Sequence, residues 1–236
     1  MEQPKYRRVL LKLSGEALAK GGSGIVNEAF VKDVAEVLKR CLAAGVEIGV
    51  IVGAGNIWRG RQGVDMDPTR ADSMGMLATA INALALEDAF IRFGIDAHAM
   101  TAVEMTRFAE PFVRDQAIAY LKKGSVVIFG CGLGIPFLST DTAAAVRAAE
   151  IGADIVLMAK NVDAIYTADP VKDPTARRLE SISCREILEK QLRALDSTAT
   201  AFCMDHNIPV LAFGLSDPEN IYRAVMGESI GTVITP

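Results

Sequence analysis

Three short stretches carry the residue types that could handle phosphate. Leu11-Lys12-Leu13-Ser14-Gly15-Glu16, Val52-Gly53-Ala54-Gly55-Asn56-Ile57-Trp58-Arg59-Gly60 and Phe129-Gly130-Cys131-Gly132-Leu133-Gly134 each run from an apolar segment straight into glycine. Glycine lets the backbone approach an anion closely, and the N–H groups of such loops attract phosphate. One glycine after a strand is ordinarily only a turn. Three such loops, with Lys12 and Arg59 among them, point to a polyphosphate cradle. Lys12 interrupts an apolar strand, where an ammonium is costly unless it has a task. Arg59 can fork onto phosphate oxygens.

These loops need a frame, and the chain supplies one by alternation. Residues 9–13, 46–52, 95–100, 126–129, 155–159, 209–213 and 232–234 read as short apolar strands rich in β-branched residues. Helices are expected between them. Asn27 can cap one through Leu42, with Val31, Val34, Leu38 and Leu42 at helical spacing. A long apolar helix is expected over 72–93 with Asp72 at its start, and others over 114–123, over 140–151 with Thr140 as cap, and over 197–207. Ser183-x-x-Glu186 is a capping box, and Asp217-Pro218 opens the last helix. Continuous apolar strands alternating with helices mean an α/β fold, a mostly parallel central sheet with helices on both faces. Ligands in such sheets bind beyond the carboxyl ends of the strands, where the glycine loops fall. We read residues 1–236 as one domain, with lobes of about 1–155 and 156–236 divided near the loop at 163–175.

Composition narrows the chemistry. The 236 residues are 50% apolar with a formal net charge of -4, which disfavours a nucleic-acid partner. The mean hydropathy of +0.26 is high and implies burial on several faces, subunit contacts included. Cys41, Cys131, Cys184 and Cys203 form no C-x-x-C pair, and His98 and His206 are the only histidines. A zinc site and a disulfide framework are disfavoured, and reduced thiols of a cytoplasmic protein are expected. The longest uncharged apolar stretch, 73–86, is shorter than the ~20 residues of a membrane span. Neither G-x-x-x-x-G-K-[ST], nor G-x-G-x-x-G opening a helix, nor a protein-kinase catalytic loop occurs.

The phosphate loops fall within a longer pattern. Lys12-Leu13-Ser14-Gly15-Glu16-Ala17-Leu18, Gly53-Ala54-Gly55-Asn56 with Arg59-Gly60, Asp72-Ser73-Met74-Gly75-Met76-Leu77-Ala78-Thr79, Pro136-Phe137-x-Ser139-Thr140-Asp141, Val162-Asp163-x-x-Tyr166-x-Ala168-Asp169-Pro170 and Met226-Gly227-Glu228-x-x-Gly231-Thr232 follow one another in order. Together they resemble the UMP kinases of the amino-acid-kinase superfamily over essentially the whole chain. That resemblance implies phosphorylation of UMP to UDP by ATP with Mg2+, in pyrimidine nucleotide biosynthesis. It implies a homohexamer built from dimers through the long apolar helix, with UTP and GTP as effectors, and no membrane partner.

The resemblance also distributes roles. Lys12 and Arg59 would meet the transferring phosphate, and Asp141 would orient Lys12. Lys12, Leu13, Ser14, Gly15, Gly55, Arg59, Lys160, Asn161, Tyr166 and Asp169 would contact ATP. Gly53, Ala54, Asp72, Leu133, Gly134, Ile135, Pro136, Phe137, Leu138, Ser139 and Thr140 would contact UMP, with Asp72 on the ribose hydroxyls. No protein metal ligand is assigned. The acceptor is already an anionic phosphate, so no general base is needed; the barrier is repulsion between anions, which cations and N–H groups must offset. Four positions depart from the family pattern. Leu133 and Ile135 stand where hydrogen-bonding side chains face the pyrimidine, and Ala54 and Ala164 stand where glycine is usual. Two other readings follow: a related kinase with a relaxed or different acceptor, and a nucleotide-binding regulator without turnover.

Overall fold

The computed structural model describes residues 3–22, 24–58, 65–168, 172–192 and 194–236. In chain order the elements are β1 (Arg8–Leu13), α1 (Gly15–Ala19), α2 (Glu28–Ala43), β2 (Glu47–Val52), α3 (Pro68–Arg92), β3 (Ala97–Thr101), β4 (Glu110–Pro111), α4 (Arg114–Lys122), β5 (Val126–Gly130), α5 (Thr140–Ile151), β6 (Ile155–Lys160), β7 (Ser181–Ser183), α6 (Cys184–Glu189), α7 (Ser197–Asp205), β8 (Val210–Gly214), α8 (Glu219–Met226) and β9 (Thr232–Thr235). Among the described residues the strands form one nine-stranded sheet in the order β4-β3-β5-β2-β1-β6-β8-β9-β7. Every pairing is parallel except β8 with β9.

β1 lies mid-sheet between β2 and β6, and its apolar residues are buried on both faces. The two-residue period of a strand sorts them. Val9, Leu11 and Leu13 join a core with Val31 and Leu38 of α2, Leu86 and Phe90 of α3, and Ile221 of α8. Leu10 joins the opposite core, with Leu121 of α4, Ala144 and Ile151 of α5, and Cys203 of α7. Lys12 shares the face of Leu10, so its side chain rises on the side that carries α5.

Two expectations about helix starts are corrected. Asp67, not Asp72, caps α3: its carboxylate accepts the Arg70 N–H at 3.0 Å, and Pro68 takes the first helical position, where a missing N–H costs nothing. Ser139, not Thr140, caps α5, accepting the N–H groups of Asp141 and Thr142 at 3.0 and 3.1 Å. Asn27 and the Ser183–Glu186 capping box stand as expected. The short elements α1, β4 and β7 carry too few residues to show a period and are additions to the sequence reading.

α3 is long and apolar enough, by composition alone, to cross a membrane. Instead it packs Ala78, Ala83, Leu86 and Phe90 against the sheet. It is not buried all round: Met74, Leu77, Ile81 and Ile91 are 39%, 56%, 48% and 55% exposed, close to one stripe at helical spacing.

Candidate active site

The carboxyl ends of β1, β2, β5 and β6 converge, and the sequence motifs meet there. The first two glycine loops touch backbone to backbone. The Gly53 N–H donates to the Leu13 carbonyl at 2.9 Å. A Cβ on Gly15 would lie 2.4 Å from Asn56 Oδ1 and 2.6 Å from the Gly55 nitrogen, so only glycine fits. The loop after β2 is fixed by a reciprocal amide pair. Asn82 on α3, fully buried, donates to Gly53 O at 2.8 Å and to Asn56 Oδ1 at 2.8 Å, and Asn56 donates to Asn82 Oδ1 at 2.9 Å. Asn82 was not singled out from sequence; a polar residue amid an apolar helical run was the available signal. Ala54 and Ala164 have ordinary negative φ, so the missing glycines leave no strain.

Lys12 Nζ lies 3.1 Å from Asp141 Oδ1, with both side chains mostly shielded from solvent. Asp141 reaches that place because Ser139 starts α5 just before it. Lys160, the last residue of β6, donates its ammonium to the Ala194 carbonyl rather than facing open solvent. Burial pushes its pKa down, Asp141 opposes that, and Lys12 adds to it, so the three groups share one electrostatic neighbourhood. Asn161 donates to Glu16 Oε2 at 3.4 Å. The Tyr166 hydroxyl donates to Asp163 at 2.9 Å, which raises its pKa. Arg59 and Asp169 lie outside the described residues.

Two cavities flank the start of α5. The smaller, ≈ 170 Å³, is lined by Trp58, Asp72, Gly75, Met76, Ile135 and Thr140 among others. The larger, ≈ 590 Å³, is lined by Asp141, Lys160, Leu192, Asp196 and Thr200 among others. Thr140 lines one, and Asp141, paired with Lys12, lines the other. Ile135 is 57% exposed and faces the small cavity, whereas Leu133 packs on the core with Leu10 and Phe129. Of the two apolar departures, only Ile135 therefore borders the pocket. Asp72 holds the loop between β5 and α5, accepting the Phe137 N–H at 2.7 Å.

Asp196 is a further carboxylate that the sequence reading missed. It caps α7 through the Ala199 N–H at 2.9 Å and accepts the hydroxyls of Ser139 and Thr142. Its local signal is an unremarkable helix cap; its role as a junction appears only when α5 and α7 pack together.

Residues 7–213 match the model of the amino acid kinase family. The fold is similar to that of a UMP kinase from Bacillus anthracis, with TM-score 0.93 and 32% identity over 98% of this chain and 96% of that one. A UMP kinase from Ureaplasma parvum gives 0.92 and 33% over 98% and 100%. A uridylate kinase from Archaeoglobus fulgidus gives 0.74 and 28% over 96% and 99%. The Lys12–Asp141 centre and the glycine loops thus sit in a frame shared along almost the full chain, and the protein belongs to the amino acid kinase family.

Proposed function

We propose that this chain transfers the γ-phosphoryl group of ATP to UMP, giving ADP and UDP, as a step of pyrimidine nucleotide biosynthesis. The observation that carries the reading is the Lys12–Asp141 pair at the meeting of two cavities, in a chain similar over its whole length to UMP kinases. An oxygen of the UMP phosphate attacks the γ-phosphorus as the bond to the β,γ-bridging oxygen breaks and ADP leaves. No proton need be removed from the nucleophile, so positioning and charge carry the rate. Lys12 balances charge on the transferring group, Asp141 holds Lys12 in place, and Arg59 adds a second cation. Removing one such electrostatic contact costs about 10²–10³ in kcat.

The small cavity is read as the UMP side, formed by Gly53, Ala54, Asp72 and the loop of Leu133, Gly134, Ile135, Pro136, Phe137, Leu138, Ser139 and Thr140. With Asp72 Oδ2 engaged by Phe137, Oδ1 is left to accept from the ribose. The large cavity and the loops carrying Leu13, Ser14, Gly15, Gly55, Asn161, Tyr166 and Asp169 are read as the ATP side. The lining of the large cavity from Lys160 to Thr200 supports a nucleotide lobe over about 156–236, and the acceptor lobe over about 1–155 lends it Leu13, Ser14, Gly15 and Gly55. Among the described residues no group of three or more His, Cys, Asp or Glu is placed to hold a metal. Mg2+ typically binds one or two carboxylates plus substrate phosphates, and Asp141, which lines the large cavity beside Lys12, could supply one. The ion would neutralise phosphate charge.

The exposed stripe on α3 supports a subunit interface, and a homohexamer of dimers under UTP and GTP control in the cytoplasm completes the proposal. ADP release with ATP and Mg2+ against UMP, CMP, dUMP, AMP and no acceptor tests it. Turnover with UMP well above the rest supports the assignment. Equal turnover with CMP keeps the kinase and removes the base preference. No turnover with any acceptor, from folded protein that binds ATP, refutes it and favours the regulator.

A further inference from the structure

Arg147 lies outside both cavities, yet it is bonded to the loop that borders the smaller one. It stands on α5 and is 5% exposed. Its guanidinium pairs with Glu150, stacks 3.7 Å from the Phe112 ring centre, and donates through Nη2 to the Gly132 carbonyl at 3.3 Å. Its Nε is the one buried side-chain nitrogen or oxygen without a partner among the described residues. An unpaired buried donor is destabilising, and an apolar side chain would fill the same space without it. The arginine therefore calls for a reason beyond packing.

That reason lies in the loop it touches. From Cys131 to Ser139 the backbone is left-handed at Cys131, Gly132, Gly134 and Phe137, with φ of 62°, 55°, 74° and 69°. For Cys131 and Phe137 that conformation is sparsely populated and persists only where surroundings impose it. Four ties impose it. Thr79 accepts the Cys131 N–H at 2.8 Å, Arg147 holds Gly132, Asp72 holds Phe137, and Asp196 holds Ser139. Thr79, Asp72 and Asp196 line the cavities themselves. Arg147 alone acts from outside.

We propose that Arg147 is a positioning residue for the acceptor: by holding the Gly132 carbonyl it fixes the first turn of the loop that receives UMP. This rests on reading the small cavity as the acceptor site. Trp58, the only tryptophan, lines that cavity and so reports on it directly. The test is a UMP titration of Trp58 fluorescence, with KM for ATP measured in parallel, in wild type, Arg147→Met and Arg147→Lys. Arg147→Met is expected to weaken UMP binding by about tenfold, the lower end of what a charged hydrogen bond contributes, with KM for ATP unchanged. Arg147→Lys keeps the charge near Glu150 but loses the planar fork and the stack, so it rescues only part. If Arg147→Met does not fold, Arg147→Lys alone decides, by weaker UMP binding at unchanged KM for ATP. Hydrogen exchange in the ligand-free proteins adds a readout independent of UMP: amides of 131–139 exchange faster in the variants while those of α3 and α5 do not. Variants with wild-type UMP affinity and wild-type loop exchange would overturn the proposal. So would equal losses for UMP and ATP, which is the mark of a structural role. Wild type that gives no response to UMP would refute the acceptor-site reading instead, leaving loop exchange to decide the positioning role.

Discussion

Four of the nine residues from Cys131 to Ser139 are left-handed, whereas among the described residues from Ser181 to Thr200 only Gln191 is. The first segment walls the small cavity and the second much of the large one. The large-cavity side is assembled from local devices: a capping box at Ser183 and Glu186, and a helix cap at Asp196. The small-cavity side opposes local preference and is held by side chains from α3, α5 and the start of α7. The contrast teaches where each is vulnerable. A change within the nucleotide-side caps should act on stability near its own position. A change far from the acceptor loop should reach it through a tie.

The largest effect should come where the two sides meet. Lys12→Met or Asp141→Asn is expected to lower kcat by about 10²–10³, and the double variant to lose little more than either single, because the two act as a unit. Steady-state ADP release checks this, and additive losses would separate the pair. Next, Asp72→Ala should raise KM for UMP by about tenfold with KM for ATP unmoved, since it removes the proposed ribose acceptor together with the Phe137 tie. Parallel changes in both constants would show that the two cavities are not independent. Ile135→Asn is expected to sharpen the acceptor side by raising the preference for UMP over CMP by several-fold, because a polar contact penalises the mismatched base edge. An unchanged ratio in the same assay would show that Ile135 does not read the base.

The smallest effect belongs to the nucleotide side. Ser183→Ala should cost about 1 kcal/mol of stability and leave KM for UMP unchanged. Its pH dependence follows from Glu186, whose pKa is pushed down to about 2 from 4.5, first by the bond from Lys190 and then by those from Ser183. The unfolded chain takes up that proton first as pH falls. The contribution is therefore whole above the ordinary glutamate pKa and disappears as pH drops towards 2. Melting curves across that window should fall less steeply with acid in Ser183→Ala than in wild type.

What was legible in the sequence divides along the same line. Continuous apolar runs and helical spacings place the long elements, because a strand buried on both faces is apolar throughout, while a helix packed on the sheet is apolar at every third and fourth residue. Lys12 was legible as a cation in an apolar strand, and the Ser183 box as a local motif. Arg147 and Asp196 were not, since each looks like an ordinary helix or cap residue until the element beside it is known, and Asn82 showed only as a polar residue in an apolar run. The start of α3 was legible too, since Asp67-Pro68 is the same opening pair as Asp217-Pro218, and the apolar run that begins after Asp72 masks it. Leu133 and Ile135 looked alike in sequence, and only the fold shows that one faces the core and the other the cavity.

The central claim is transfer of phosphate from ATP to UMP beside Lys12. Phosphorus NMR of wild type and Lys12→Met with ATP, Mg2+ and UMP tests it most directly. The expected result is UDP and ADP growing in equal amounts with wild type and nearly abolished in the variant. ATP left intact with wild type, or ADP and inorganic phosphate without UDP, would contradict it.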